Sequence, residues 1–181
     1  MEIPQERTYT IEDIYALPDG QRAELIDGRM YMMAPPRTIH QRISSALHVA
    51  IYQYIKSRNG ACEIFAAPFA VFLNKDNRNY LEPDLSIICN KDKLDDRGCN
   101  GAPDWIIEII SPSDPQRDYG VKLFKYRTAG VREYWIVNPS TRTVNVYDFE
   151  KEIGTNQYTF NDDIPVCIYD DLKINIESLL S

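Results

Sequence analysis

The longest regular hydrophobic pattern of the chain lies between two turn signals, Pro35-Pro36 and Asn59-Gly60. Apolar side chains recur there at a spacing of three and four residues, which is typical of one face of an α-helix. These residues are Ile39, Ile43, Ala46, Leu47, Ala50, Ile51 and Tyr54. The pattern predicts a long helix that packs its apolar stripe on a core, with His40 at the border of the stripe and Arg42 outside it.

A short helix and a β-hairpin are predicted before the long helix. Thr10 is a suitable N-cap for the short helix, which Pro18 stops. Residues 22–26 and 29–33 then flank Asp27-Gly28, a dipeptide typical of two-residue hairpin turns. Glu24 lies in the first strand of this predicted hairpin.

The second half of the chain contains a predicted βαβ unit. Residues 105–110 form an apolar strand, a helix starts at Ser113-Asp114-Pro115 and stops at Gly130, and 133–137 form a second strand. Strands joined in this way run parallel. Further strands are predicted at 63–66, 69–73, 85–89 and 143–149, and near Tyr158 and Val166, with a last short helix near Leu179. The elements together predict an α/β or α+β fold, a mixed β-sheet flanked by helices.

Composition restricts the class of protein. The chain has 181 residues, 44% of them hydrophobic and 26% charged, which is typical of one globular domain over residues 1–181. The most apolar run, residues 64–73, contains Pro68 and is much shorter than the ~20 residues of a membrane helix. The first ten residues lack a secretory signal, and the four cysteines are too sparse for a disulfide framework. We therefore expect a soluble protein of a reducing compartment, the cytoplasm.

The charge of the chain is unevenly distributed. The net charge is −7, yet no acidic residue occurs between Asp27 and Glu63. The basic residues of that segment are Arg29, Arg37, Arg42, Lys56 and Arg58, and both histidines, His40 and His48, also lie there. The segment is either a surface that faces an anion or simply a solvated helix face.

The sequence lacks the common phosphate-loop, dinucleotide-binding, nucleophile-elbow and HExxH motifs. Its most unusual residue is Glu108. It lies in a predicted buried strand, on the same face as Ile106 and Ile110. Burying an unpaired carboxylate costs several kcal/mol, so Glu108 needs a cation, hydrogen-bond donors or a raised pKa. The alternative is a half-exposed strand with Glu108 at its solvated edge.

A second acid is needed if Glu108 binds a metal ion. Asp104 lies about 13 Å away along the same strand, too far to share one cation. Asp84 leads into the predicted strand 85–89, and neighbouring strands are separated by only about 4.8 Å. Asp84 is therefore the better partner, unless it is only a turn residue after Pro83.

Lys122 is predicted to lie level with Glu108. Glu108 lies about 10 Å below the end of its strand, and Lys122 lies about 10 Å along the helix that packs back on that strand. Glu24 is either a third acid at the same site or a solvated residue beside Arg22. His40 either contacts a phosphate or only completes the border of its helix, and Tyr126 is expected to pack in the core.

These residues resemble the PD-(D/E)xK nuclease superfamily and, more narrowly, a large bacterial family of restriction-endonuclease-like proteins. The matching stretches are residues 24–28, 36–40, 83–84, 108–113, 122–126 and 129–135. The resemblance implies a restriction-endonuclease-like core with a divalent metal ion, usually Mg²⁺, bound by Asp84, Glu108 and the main-chain carbonyl of Ile109. The family signature has lysine two residues after the acid, where this chain has Ile110, and in this branch the lysine is expected at Lys122.

The leading hypothesis is a Mg²⁺-dependent endonuclease that hydrolyses phosphodiester bonds in DNA, with Mn²⁺ as a substitute ion. Asp84, Glu108, Lys122 and Glu24 would be its catalytic residues. The basic helix would lie against the DNA backbone through Arg37, His40 and Arg42. By analogy with the fold, a homodimer would cut two strands. The alternatives are an inactive nuclease-fold protein that binds DNA or protein, and a metal-dependent hydrolase of a smaller phosphate ester.

Overall fold

The computed structural model describes residues 7–111, 117–151 and 154–181. Its α-helices are α1 (Ile11–Tyr15), α2 (Thr38–Ser57), α3 (Leu123–Ala129) and α4 (Ile176–Leu180). Its strands are β1 (Ala23–Ile26), β2 (Arg29–Met32), β3 (Glu63–Ala66), β4 (Val71–Phe72), β5 (Leu85–Ile88), β6 (Leu94–Asp95), β7 (Gly98–Asn100), β8 (Trp105–Ile109), β9 (Glu133–Asn138), β10 (Thr143–Asp148), β11 (Asn156–Thr159), β12 (Ile164–Pro165) and β13 (Lys173–Ile174). A π-helical turn (Arg117–Lys122) leads into α3, and the predicted helix start at residues 113–115 lies outside the described residues.

A six-stranded sheet in the order β11-β10-β9-β8-β5-β3 forms the centre of the molecule. Its β8 and β9 run parallel, and its other neighbours run antiparallel. The mixed sheet and the parallel pair confirm the predicted fold class. Strand β5 also lies beside β8, as expected, and the last pair of their register is Leu85 with Ile107. The next position outward on each chain is Asp84 and Glu108, respectively.

Hydrophobic residues pack on both faces of this sheet. The apolar stripe of α2, including Ile43, Leu47 and Ile51, packs on one face together with α4. The other face lies under α3 and the β1–β2 hairpin and carries Ile106 and Ile110. Because side chains alternate along β8, Glu108 belongs to this second face, between two buried isoleucines. The strand is therefore buried on both sides and not half exposed.

The β1–β2 hairpin is held close to the sheet by main-chain hydrogen bonds. Asp27 and Gly28 both have positive φ angles, 50° and 79°, as a two-residue turn of this kind requires. A Cβ atom at Gly28 would collide with the Cγ2 methyl of Thr8, and the positive φ angle strains any other residue, so the position favours glycine. Beyond the turn, Leu25 and Tyr80 exchange hydrogen bonds of 2.7 and 2.8 Å. This attachment brings Glu24 over the second face of the sheet.

Some features of the fold differ from the sequence-based expectation. The predicted strand 69–73 is shorter, and it joins a small sheet of order β4-β7-β6 that was not predicted. Cys62 and Cys89 form a disulfide that was not predicted, although one bridge is not the disulfide framework that the composition argued against. Glu63 and Ile88 form the last pair of the β3–β5 register, and Cys62 and Cys89 are the next residues beyond that pair. The two cysteines therefore lie opposite each other. No helix among the described residues has the length and apolar character needed to cross a bilayer.

We expect reduction of the Cys62–Cys89 disulfide to destabilise the protein. The bond links residues 27 apart in sequence, and closing a loop of this size stabilises a fold by about 3 kcal/mol. Urea denaturation with and without dithiothreitol measures the difference. The double variant Cys62→Ser/Cys89→Ser is the control and should not respond to the reductant. Equal stability of the oxidised and reduced protein would contradict the expectation.

Candidate active site

A buried ammonium group between two buried carboxylates forms the centre of the site. Nζ of Lys122 lies 2.9 Å from both carboxylate oxygens of Glu24 and 2.8 Å from Oε1 of Glu108. The exposed fraction is 0% for Glu24, 5% for Glu108 and 3% for Lys122. The expectation that Lys122 lies level with Glu108 and reaches it is confirmed. Glu24 faces the same ammonium group, so it is not a solvated residue beside Arg22.

Three different elements supply these groups. Glu108 comes from β8 in the middle of the sheet, and Glu24 comes from β1, which is attached through the Leu25–Tyr80 hydrogen bonds. Lys122 ends the π-helical turn and directly precedes α3. A π-helical turn shifts the direction of the following side chains relative to a regular α-helix and is frequent at functional sites. The turn places Lys122 over Glu108.

Tyr126 is a site residue that the sequence analysis missed. Its hydroxyl donates a 2.7 Å hydrogen bond to Oε1 of Glu108, the oxygen that also accepts from Lys122. Burial, reinforced by the charge of Glu108, raises the pKa of Tyr126 well above its usual value, so the hydroxyl stays protonated. Lys122 and Tyr126 are four residues apart and lie on the same side of their helix. This spacing was the available signal.

A further layer of polar contacts, formed by the segment before β5, supports Glu24. The main-chain amide of Glu82 donates a 3.1 Å hydrogen bond to Oε1 of Glu24. The Glu82 carboxylate in turn accepts from the hydroxyl of Tyr80 at 2.7 Å and from Nε of Arg22 at 2.8 Å. Glu24 therefore receives donors from Lys122 before α3 and from the segment that precedes β5, which fixes its position between them.

Asp84 is held in a separate set of contacts at the same end of the sheet. Its Oδ2 accepts a 2.7 Å hydrogen bond from the amide of Ile109 and lies 3.0 Å from Nε2 of His40. The neighbouring amide, that of Ile110, donates to Val137 of β9, so the amide of Ile109 faces the β5 side. The N–H and C=O of one strand residue point to the same side. The carbonyl of Ile109 therefore points toward Asp84.

The helix α2 presents the remaining predicted residues at its beginning. Arg37 and Arg42 are exposed to solvent, whereas the side chain of His40 is mostly buried against Asp84. His40 thus contacts a carboxylate in this structure, and its predicted contact with nucleic acid stays a prediction. The structure brings Glu24, Glu108 and Lys122 together and places Asp84 beside Ile109, the residue after Glu108.

The donor set at this end of the sheet fits a magnesium site of the open type. Across the described ranges, no three or more His, Cys, Asp or Glu side chains are grouped so that they could hold a metal ion. Mg²⁺, however, is usually bound in enzymes through one or two carboxylates, with water and substrate phosphate completing its coordination. Asp84 and Glu108 lie opposite each other at the first position beyond the β5–β8 ladder, with the Ile109 carbonyl on the Asp84 side, and so match that requirement.

Replacing Lys122 by methionine is expected to lower the free energy of unfolding by about 3–5 kcal/mol, because two buried carboxylates lose their cation. Lys125→Met is the matched control in the same helix. Lys125 pairs with the exposed carboxylate of Asp27, and such a pair contributes about 1 kcal/mol or less. Urea denaturation measures both variants. An equal, small loss for both would show that the Lys122 contacts do not stabilise the fold.

Comparison with proteins of known structure supports the fold. A crystal structure described as a putative nuclease belonging to DUF820, from Anabaena variabilis, superimposes with a TM-score of 0.75. The match covers 94% of this chain and 97% of that chain at 22% sequence identity. At this level of identity the similarity shows a shared fold.

Sequence comparison gives one relative and a family. The Synechocystis sp. protein named "Uncharacterized protein slr1290" is 24% identical over 128 residues, which cover 70% of this chain and 66% of the relative. This chain thus spans slightly less than two thirds of that protein. The model of the Uma2 family, described as "Putative restriction endonuclease", matches residues 11–172, a range that includes Glu24, Asp84, Glu108 and Lys122. The chain therefore belongs to the Uma2 family of restriction-endonuclease-like proteins.

Proposed function

We propose that this protein is a Mg²⁺-dependent endonuclease that hydrolyses phosphodiester bonds in DNA. The observation that carries the proposal is the contact between Lys122 and Glu108, 2.8 Å apart and both buried. A lysine beside this acid is the combination that the nuclease signature requires, and here the lysine comes from the helix after the strand. Membership of a restriction-endonuclease-like family supports the same reaction class.

Asp84, Glu108 and the carbonyl of Ile109 are the groups proposed to hold Mg²⁺, or Mn²⁺ as a substitute. The ion, when bound, would polarise the scissile phosphate and lower the pKa of an attacking water. Lys122 orients Glu108 and provides positive charge where negative charge develops on the phosphoryl oxygens. Glu24 and Tyr126 hold Lys122 and Glu108 in place, and His40 and the Ile109 amide fix one oxygen of Asp84.

The DNA backbone is proposed to lie along the beginning of α2. Arg37 and Arg42 are exposed there, and no acidic residue occurs between Asp27 and Glu63 to weaken their attraction for phosphate. Binding through such contacts falls steeply with salt concentration. The same proposal includes a homodimer, in which each copy cuts one strand. It also includes a cytoplasmic location, where DNA is accessible.

A nonenzymatic DNA- or protein-binding module is the second candidate. The observation that favours it is the full engagement of Oε1 of Glu108 by Lys122 and Tyr126, which would stabilise the fold without any metal ion. This candidate and the nuclease differ in their response to divalent ions and to substitution of the acids.

We expect the purified protein to nick supercoiled plasmid in Mg²⁺ and not in EDTA. Asp84→Asn and Glu108→Gln should each lower the rate by about 100-fold or more, the order of effect when one electrostatic group is removed from an active site. Lys125→Met, which removes the pair with Asp27 and leaves Lys122 and both acids in place, should retain full activity. Nicking that survives both acid substitutions would remove these residues from the mechanism.

Binding of Mg²⁺ or Mn²⁺ should raise the melting temperature, since a ligand that binds only the folded state stabilises it. At a concentration 100 times the dissociation constant the stabilisation is about 2.7 kcal/mol. Asp84→Asn should abolish the metal-dependent increase, and Lys125→Met should keep it. A melting temperature that is independent of both ions would favour the nonenzymatic module.

A further inference from the structure

A cleft of about 270 Å³ opens directly beside Asp84, on the α2 face of the sheet. One wall is a single face of α2, because Gln41, Ser44, Ser45 and His48 recur at helical spacing. Asp84 belongs to the lining, so the cleft reaches the residue that is proposed to hold the metal ion. Whatever enters the cleft therefore lies next to the proposed reaction centre.

The opposite wall of the cleft is formed by small side chains. Ala66 ends β3, and Ala67 follows it, with its amide donating a 3.0 Å hydrogen bond to the carbonyl of Asp84. Two alanines leave space above the end of the sheet that larger residues would fill. The volume is just below the roughly 300–1,000 Å³ of pockets for drug-sized ligands, so the cleft suits one small ring system.

The lining offers hydrogen bonds without positive charge. Gln41 provides an amide, Ser44 and Ser45 provide hydroxyls, and burial lowers the pKa of His48, which favours its neutral imidazole. Among the residues that the structure describes, Asp84 is the only charged one in the lining, and its carboxylate repels phosphate. The cleft thus fits a neutral, planar group with donors and acceptors at its edge. The exposed arginines, Arg37 and Arg42, lie on the same helix outside it.

We propose that this cleft binds one unpaired nucleobase of the substrate strand beside the cleaved phosphate. The inference rests on the proposed function in taking nucleic acid as the ligand. A base that is paired inside a duplex cannot enter a cleft of this size, so the nucleotide must be single-stranded or turned out of the helix. The protein therefore acts on unpaired or locally opened DNA in preference to intact duplex.

Fluorescence anisotropy with a labelled 12-nucleotide single strand and its duplex tests the proposal. The titration is performed in EDTA, where binding is measured without metal-dependent cleavage. Wild-type protein should bind the single strand at least 10-fold more tightly than the duplex. A single strand of abasic nucleotides should lose about 10-fold in affinity, because it lacks the base edge that would form hydrogen bonds with the cleft lining.

Two variants block the cleft from opposite walls. Ser45→Leu, from α2, and Ala66→Leu, from β3, fill the cleft without offering a base an aromatic face, and each should weaken binding of the single strand about 10-fold and leave duplex binding unchanged. Gln53→Leu is the control, because Gln53 is exposed on the same helix but does not line the cleft. Circular dichroism and melting temperature establish that each variant is folded.

Equal affinity for single strand and duplex would overturn the proposal, as would wild-type affinity in both blocked variants. Binding is measured without cleavage, so a protein that fails to nick plasmid can still show the single-strand preference. The converse result is cleavage that requires Asp84 and Glu108 while both blocked variants bind the single strand normally. That result would support the proposed nuclease function and overturn the proposed binding of a nucleobase in the cleft.

Discussion

The attraction between the buried ammonium of Lys122 and two buried carboxylates is the constraint on which the rest of the site depends. Removing three charged groups from water is costly, and only close contacts with good hydrogen bonds offset the loss of hydration. Glu24, Glu108 and Lys122 come from a hairpin, a central strand and the start of a helix. Their mutual contacts fix these three elements relative to one another.

Among the described groups, the centre of the site has two carboxylates, those of Glu24 and Glu108, and the ammonium of Lys122, and all three residues are buried. Tyr126 and the Glu82 amide donate further hydrogen bonds to the carboxylates without adding charge. Asp84 adds a further carboxylate at the same end of the sheet, close to the residue after Glu108. An excess of negative charge near carbonyl and carboxylate oxygens is the environment that attracts a small hard cation. The electrostatics of the fold and the proposed chemistry thus agree.

The end of strand β5 explains how Asp84 acquires its position. The ladder between β5 and β8 ends at Leu85 and Ile107, so the amide of Ile109 lies beyond the last main-chain pair. The carboxylate of Asp84 accepts from that amide in place of a main-chain carbonyl. A buried amide needs a partner, and here the partner is the proposed metal ligand. The same opening at the end of the sheet leaves room for the cleft under α2.

Local patterns in the sequence predicted the elements of the central sheet well. The helical stripe of α2, the Asp27-Gly28 hairpin and the strand–helix–strand order around Glu108 all depend on interactions within a few residues. Lys122 was placed level with Glu108 by comparing two distances, that of Glu108 from the end of its strand and that of Lys122 along the following helix. Both distances depend only on the regular rise per residue. The role of Tyr126 was missed because an aromatic residue on a helix is predicted to pack in the core, and the sequence does not show whether its hydroxyl forms a hydrogen bond.

The sequence by itself determined the fold class, the isolation of Glu108 in an apolar strand and the reach of Lys122, because these follow from periodicity and rise per residue. Tertiary structure alone decided that Glu24 faces Lys122, that His40 contacts Asp84 and that Cys62 meets Cys89. Each of these pairs joins segments that are 27 to 98 residues apart. Their approach depends on how the sheet, the hairpin and α2 pack together, and no local pattern specifies that packing.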